Sequence, residues 1–127
     1  MAGIYTLTKS EILSSRKLIE KIFRREGEMI SKFPLSFIFM KNDFDANSQA
    51  QILFSVSSKK IKKAHERNRI KRLMKECYRL KKTELYNKIE GTKYIFCLSY
   101  NSTEISNFDE INEKLKVLLN EFYKKIS

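Results

Sequence analysis

Three stretches of the chain have the apolar patterns that are typical of β-strands. In Leu35–Lys41 the odd-numbered and even-numbered residues fall on opposite faces of an extended strand. A polar, turn-forming stretch at 42–49 leads to a second strand at 50–57, and we expect these two strands to pair as an antiparallel hairpin. The third stretch, at 93–100, is apolar on both faces, which predicts a central strand covered on both sides.

Apolar residues spaced by three or four predict three helices, at 15–26, at 64–85 and from about 108 to the end of the chain. The order α-β-β-α-β-α predicts an α+β fold, a two-layer sandwich of helices on a small sheet, in a single domain over residues 1–127. Candidate helix caps are Ser14 or Ser15, Ser106 or Asn107, and Gly27 as a left-handed residue just past the first helix.

Charge is concentrated in one segment of the sequence. The chain carries +11, and residues 57–82, with twelve Lys and Arg against two Glu, carry +10 of it. On a helix turning about 100° per residue, Ile70, Met74 and Cys77 share one side of this segment. Such an excess of one sign repels itself unless a partner neutralises it, so the segment predicts a polyanion-binding helix. Its opposite side carries Asn68, Lys71, Arg72, Lys75, Arg79 and Lys82.

Several chemistries have little support in the sequence. His65 is the single histidine, and Cys77 and Cys97 stand apart, so no zinc-ligand spacing can be assembled and both thiols are expected to be small buried apolar groups. Asp43 and Asp45 have no recognisable metal-ligand spacing, and the three glycines are too dispersed for a phosphate loop. We therefore expect no catalytic or metal-binding residue, no membrane span and no secretion signal, which predicts a cytoplasmic protein.

The basic segment resembles the signature of the bacterial ribonuclease P protein component. The resemblance is carried by Val56-Ser57-Ser58-Lys59-Lys60-Ile61, then Ala64, then Arg67-Asn68-Arg69-Ile70-Lys71-Arg72-Leu73, continuing to Glu76 and Tyr78. It implies the fold α-β-β-(β)-α-β-α of the ribosomal protein S5 domain 2-like type, with a small mixed sheet and a left-handed crossover to the basic helix. A fourth short strand near 27–33 is then expected.

The resemblance also implies a function. The chain would be the RNA-binding subunit of a ribonucleoprotein endonuclease, a hydrolase of tRNA processing, which removes the 5′ leader of precursor tRNA. Catalysis would belong to the RNA and its Mg²⁺, and the protein alone would be an inactive monomer. Expected contacts to the catalytic RNA are Lys59, Lys60, Lys63, Arg67, Asn68, Arg69, Lys71, Arg72, Lys75 and Arg79. Expected residues of a cleft for the single-stranded leader are Ile19, Phe23, Phe37 and Phe39.

Two positions depart from the family pattern. Lys62 stands where the family commonly has glycine, and Ile19 stands where the first helix often offers an aromatic side chain. The sequence leaves open the alternatives of a structural, ribosomal-type RNA-binding protein, a duplex-DNA binder and a stand-alone nuclease.

Overall fold

The computed structural model describes residues 7–24, 27–42 and 49–127. A 3₁₀ turn at Lys9–Glu11 precedes three helices and four strands. In chain order these are α1 (Arg16–Phe23), β1 (Glu28–Lys32), β2 (Leu35–Lys41), β3 (Ala50–Val56), α2 (Ala64–Lys88), β4 (Tyr94–Tyr100) and α3 (Phe108–Ile126). The strand β1 is the short strand that the family resemblance implied, and the α+β class is confirmed.

The four strands form one mixed sheet in the order β1-β2-β4-β3. β2 runs antiparallel to both β1 and β4, whereas β3 and β4 are parallel neighbours. The expected hairpin of β2 with β3 is therefore wrong, because β4 lies between them. Parallel neighbours need a crossover, and α2 supplies it between β3 and β4. β4 occupies the predicted central position, and its residues from Tyr94 to Leu98 are all buried.

The helices α2 and α3 cover one face of the sheet and enclose the main core. Phe37 of β2 stacks on Phe96 of β4 at 5.0 Å between ring centroids, and Phe122 of α3 meets Phe37 edge-on at 5.7 Å. Further along α2, Tyr78 packs edge-on against Phe54 of β3 at 5.9 Å. These aromatic contacts bury large apolar areas and join the sheet to both long helices.

The short helix α1 lies on the opposite face of the sheet. Leu18 and Ile22 of α1 form a second, smaller apolar cluster with Ile38, Ile95 and Cys97, which point away from the main core. Alternation along β2 and β4 supplies both clusters, since successive side chains of a strand point to opposite faces. Because α1 is only eight residues long, part of this sheet face stays open.

The ends of the helices follow local sequence signals, with one exception. Ser15 caps α1 by accepting from the Leu18 amide, and Asn107 caps α3 by accepting from the Glu110 amide at 2.9 Å. The expectation that Gly27 adopts a left-handed conformation is wrong, because among the described glycines only Gly91 has positive φ. Gly27 instead meets the need for close packing, since a Cβ there would lie 2.5 Å from the carbonyl oxygen of Phe39.

Candidate nucleic-acid interface

The N-terminal half of α2 and the loop before it present a dense cationic surface. The helix docks through its buried residues Ile70, Met74 and Cys77, which leaves its opposite side to solvent. None of the ten expected contacts to RNA is buried. Lys59, Lys60, Lys63, Asn68, Arg69, Arg72 and Lys75 are exposed, and Arg67, Lys71 and Arg79 are partly exposed. We call these ten residues the α2 cationic face.

Arg67 also organises the loop that leads into α2. Its Nη1 donates to the backbone carbonyls of Ile61 and Lys62, each at 2.8 Å. Ile61 is buried in the main core, so an apolar contact and the Arg67 guanidinium fix the same part of the loop, next to the start of α2. An arginine has five N–H donors, so these two bonds leave donors for a further partner. The lysines of the loop are thereby held next to the helix.

The first turn of α2 adds to the positive potential. Lys63 is the N-cap residue, and no side chain accepts a hydrogen bond at this position. The amide dipoles at a helix N-terminus favour an anion, and the exposed Lys59, Lys60 and Lys62 precede this one in the loop, against a single acid, Glu66, in the first turn. The combination suits a phosphate group better than a neutral ligand.

Further along α2 the surface charge is partly neutralised. Arg79 forms an ion pair with Glu76, one turn earlier on the helix. The hydrogen bond from Arg79 lowers the pKa of Glu76, and the same bond raises the pKa of Arg79. The excess of positive charge therefore lies mainly before this pair, over the first three turns of the helix, where Glu66 is the one acidic residue.

Lys82 does not belong to the cationic surface, and the expectation that it lies on that side is wrong. Its Nζ donates to both carboxylate oxygens of Glu11, at 3.0 and 2.9 Å, and both side chains are more than nine-tenths buried. The Tyr86 hydroxyl also donates to Glu11. Burial alone raises the pKa of Glu11, but hydrogen bonds from Tyr86, Thr8 and Lys82 outweigh it, so this pKa is lowered.

On the opposite face of the sheet, a groove of about 290 Å³ opens at the C-terminal end of α1. Phe23 of α1 and Met29 of β1 provide exposed apolar surface there, and 52% of Phe23 is accessible. The floor is polar: Ser36, Ser99 and Ser55 stand side by side on β2, β4 and β3. The groove thus combines an accessible aromatic ring with small hydroxyl groups.

Two of the four expected cleft residues are in the wrong place for that role. Phe37 and Phe39 are 0% and 6% exposed and pack against Phe122 of α3, on the face of the sheet opposite α1. Their rings are therefore core residues. Phe23 does line the groove, and Ile19 is partly buried against the apolar cluster beneath α1. The alternation of β2 separates Ser36 and Ile38 from Phe37, but it does not indicate which set faces α1.

The described part of the chain has no cluster suited to a metal ion. Among residues 7–24, 27–42 and 49–127, no three His, Cys, Asp or Glu side chains are grouped to hold one. Asp43 and Asp45 lie outside the described residues. Burial raises the pKa of the Cys77 thiol to about 11 and also raises that of Cys97, in keeping with their expected role as buried apolar groups. In the same part of the chain, no helix has the length and apolar character needed to span a membrane.

A mixed four-stranded sheet that carries a cationic crossover helix on one face and an open groove on the other defines an α+β nucleic-acid-binding protein. Comparison with known proteins identifies the family. The Ribonuclease P family model matches residues 7–123, so the chain belongs to the ribonuclease P protein component family. This family supplies the RNA-binding subunit of a tRNA-processing endonuclease, and membership implies association with its RNA.

Curated relatives and solved structures agree with this assignment. The chain is 37% identical over 91 residues to a ribonuclease P protein component from Chlorobium phaeobacteroides, an alignment that spans 68% of this chain and 62% of the relative. It is 28% identical over 114 residues to the Porphyromonas gingivalis protein component, which covers 88% of this chain and 82% of that one. The Thermotoga maritima RNase P protein has a TM-score of 0.66 at 25% identity, over 87% of this chain and 96% of that one. The Staphylococcus aureus RNase P protein has the same fold, with a TM-score of 0.69 at 18% identity, over 88% of this chain and 94% of that one.

Proposed function

We propose that this chain assists a catalytic RNA in removing the 5′ leader from precursor tRNA, by binding the catalytic RNA through the α2 cationic face and the leader through the groove beside α1. The observation that carries the proposal is the separation of these two surfaces. The α2 cationic face belongs to a helix that packs on one face of the sheet, and the groove opens on the other face. One small protein can then contact two RNA chains at once without the contacts competing for the same side chains.

The α2 cationic face suits the phosphate backbone of a folded RNA. Exposed Arg and Lys side chains bind phosphates, and each phosphate that they neutralise releases counterions. Arg69 and Arg72 lie one turn apart on the helix, and Arg67 holds the lysine-rich loop beside them. Docking of this surface would be strong at low salt and would not depend on base sequence.

The groove suits a single strand of RNA. The exposed ring of Phe23 can stack on an unpaired base, which is worth about 1–3 kcal/mol for each base stacked. The hydroxyls of Ser36, Ser55 and Ser99 can donate to phosphate or sugar oxygens without selecting a base. A leader of any sequence would therefore fit, as a subunit that serves many precursor tRNAs requires.

The protein contributes binding and the RNA contributes the chemistry in this proposal. The described residues gather no set of carboxylates that fits Mg²⁺, and the surface that would meet the catalytic RNA is cationic. As part of this proposal we assign the magnesium of the holoenzyme to the RNA and expect the protein alone to be an inactive monomer.

Reconstitution tests the proposal. The chain is added to a ribonuclease P RNA at low magnesium, and 5′ cleavage of a precursor tRNA is followed over time. We expect strong stimulation of cleavage, and no cleavage by the protein without the RNA. Tight RNA binding without stimulation would instead favour the structural RNA-binding role and would refute the proposal.

A charge variant tests the assignment of the α2 surface. Replacing Arg69, Arg72 and Lys75 by Gln removes three exposed cations, and at roughly 0.7–0.9 per phosphate the salt slope for catalytic RNA should fall by about 2–3. The matched control replaces three cations of α3, Lys114, Lys116 and Lys124, and should leave the slope unchanged. An equal fall in both variants would show that the attraction is a general effect of net charge.

A further inference from the structure

A second cationic surface lies on α1 and its C-cap residue Arg24, which together carry four cations and one acid. With +10 in residues 57–82 and +3 in α1 and its C-cap, the rest of the +11 chain has a net charge of −2. The excess of positive over negative charge is thus concentrated in two segments. The helices α1 and α2 pack on opposite faces of the sheet, so the two cationic surfaces lie on opposite sides of the protein.

The charged residues of α1 form a continuous outer face. At 100° per residue, Arg16, Lys17, Glu20, Lys21 and Arg24 occupy an arc of about 140°, opposite the buried residues. Phe23 lies at the border between this arc and the apolar side, and it is the α1 residue that lines the groove. A strand that leaves the groove past Phe23 would next meet the outer face of α1.

Two of these cations are placed where they do not help the helix to form. Arg16 and Lys17 lie in the first turn of α1, which has no acidic residue, and the positive end of the helix dipole disfavours cations there. α3 shows the favourable arrangement, with Asp109 and Glu110 in its first turn and two lysines in its last. Arg24 differs from Arg16, because it lies near the C-terminus of α1 and forms an exposed pair with Glu20 at 3.4 Å. A stabilising role therefore explains Arg24 but not Arg16 or Lys17.

We propose that the outer face of α1 is a second RNA-binding surface, which binds the phosphates of the precursor strand beyond the groove. The inference rests on the proposed function, since it extends the leader site from the groove along α1. The groove would hold the nucleotides nearest the cleavage site through stacking and hydroxyl contacts, with little dependence on salt. The α1 surface would hold more distant nucleotides through charge alone, so only long leaders would reach it.

The experiment uses the reconstituted holoenzyme and three substrates: tRNA without a leader, and precursors with leaders of about 4 and about 16 nucleotides, within the span of single-strand-binding surfaces. Affinity is measured between about 50 and 200 mM salt. The test variant is Arg16→Gln/Lys17→Gln, and the matched control is Lys116→Gln/Lys124→Gln on α3. At about 0.7 per single-strand phosphate, the test variant should lower the salt slope for the long leader by about 1.4. Wild-type affinity for that leader should then fall about sevenfold more than the variant's over this salt range.

The inference also predicts what the variant leaves unchanged. Its affinity for the short-leader substrate and for the catalytic RNA should equal that of the wild type, and its Tm should stay the same or rise slightly because two unfavourable charges leave the helix N-terminus. Equal losses on both leaders, weaker binding of the catalytic RNA, or an unchanged slope for the long leader would each overturn the inference. If wild-type protein does not distinguish the short leader from no leader, the groove proposal itself fails, which is a different result.

Discussion

The buried ion pair between Lys82 and Glu11 should contribute to folding and not to RNA binding, and Lys82→Met tests this. The pair joins the 3₁₀ turn near the N-terminus to the third quarter of α2, with the two side chains 8% and 9% exposed. The methionine keeps much of the apolar stem of lysine and removes the charge. Glu11 would then remain buried with its bonds from Tyr86 and Thr8 alone.

The size of the effect follows from the burial of both groups. Removing one partner of a buried ion pair typically costs about 3–5 kcal/mol, because the remaining charge is left without compensation. The bonds that Glu11 retains place the expected loss near the lower limit, at about 3 kcal/mol. A domain of this size has a free energy of unfolding of about 5–15 kcal/mol, so the loss is a large fraction of the total.

Urea unfolding followed by circular dichroism measures the loss. With a slope of about 1.5 kcal/mol per molar, the midpoint should fall by about 2 M. Glu11→Gln/Lys82→Met removes both charges and keeps an acceptor for Tyr86, and it should recover about half of the loss or more. The control Lys75→Met, on the exposed side of the same helix, should barely move the midpoint but should lower the salt slope for RNA. A Lys82→Met variant that folds like the wild type and loses RNA affinity would refute the assignment.

Three further predictions follow from burial, pH and backbone packing. Phe23→Ala should weaken binding of leader-bearing substrates by about 1–3 kcal/mol with an unchanged Tm. Phe37→Ala should instead cost about 3–5 kcal/mol of folding stability. The reverse pattern would support Phe37, and not Phe23, as the residue that contacts the leader. Because the pKa of Glu11 is lowered in the folded state from its ordinary 4.5, its contribution is complete above that pH and is lost as pH falls through the folded value. As the pH is lowered, the urea midpoint should therefore fall more steeply for the wild type than for Glu11→Gln. Parallel curves of midpoint against pH would contradict this. Gly27→Ala should destabilise the protein by about 1–3 kcal/mol, because the added methyl clashes with a β2 carbonyl. The loss should exceed that of Gly91→Ala, whose added methyl meets open space at a φ of 87°. Thermal unfolding compares the two variants, and a smaller loss at Gly27 would argue against the clash.

Local sequence signals were sufficient for most of the elements. The bounds of β2 agree with its period of two, and α2 begins at the expected residue, because strand alternation and helical spacing relate residues close in the chain. The order of Lys and Arg in the basic segment likewise defined the α2 cationic face, since neighbours on a helix surface are three or four residues apart. The fourth strand was accessible only through the family resemblance, because Glu28–Lys32 is short and mostly exposed.

The order of the strands was decided by long-range contacts. Alternation shows which residues of β2 share a face, but it does not show which strand pairs with β2 or which face α1 covers. The hairpin of β2 with β3 was wrong for this reason, and so was the placing of Phe37 and Phe39 in the cleft. Both faces of β2 are apolar, so hydrophobic pattern alone gives no preference between them.

In the basic helix α2, the local sequence and the tertiary structure also decided different features. The sequence by itself determined that residues 57–82 form a cationic amphipathic segment, because charge and helical spacing are local properties. It placed Lys82 with the RNA-facing residues, because on the helix alone that is where Lys82 lies. Only the tertiary structure removed Lys82 from that surface, since its partner Glu11 is 71 residues away in the chain and is brought beside α2 by folding. A buried charge is stable only where such a partner is available, and no local pattern reveals one.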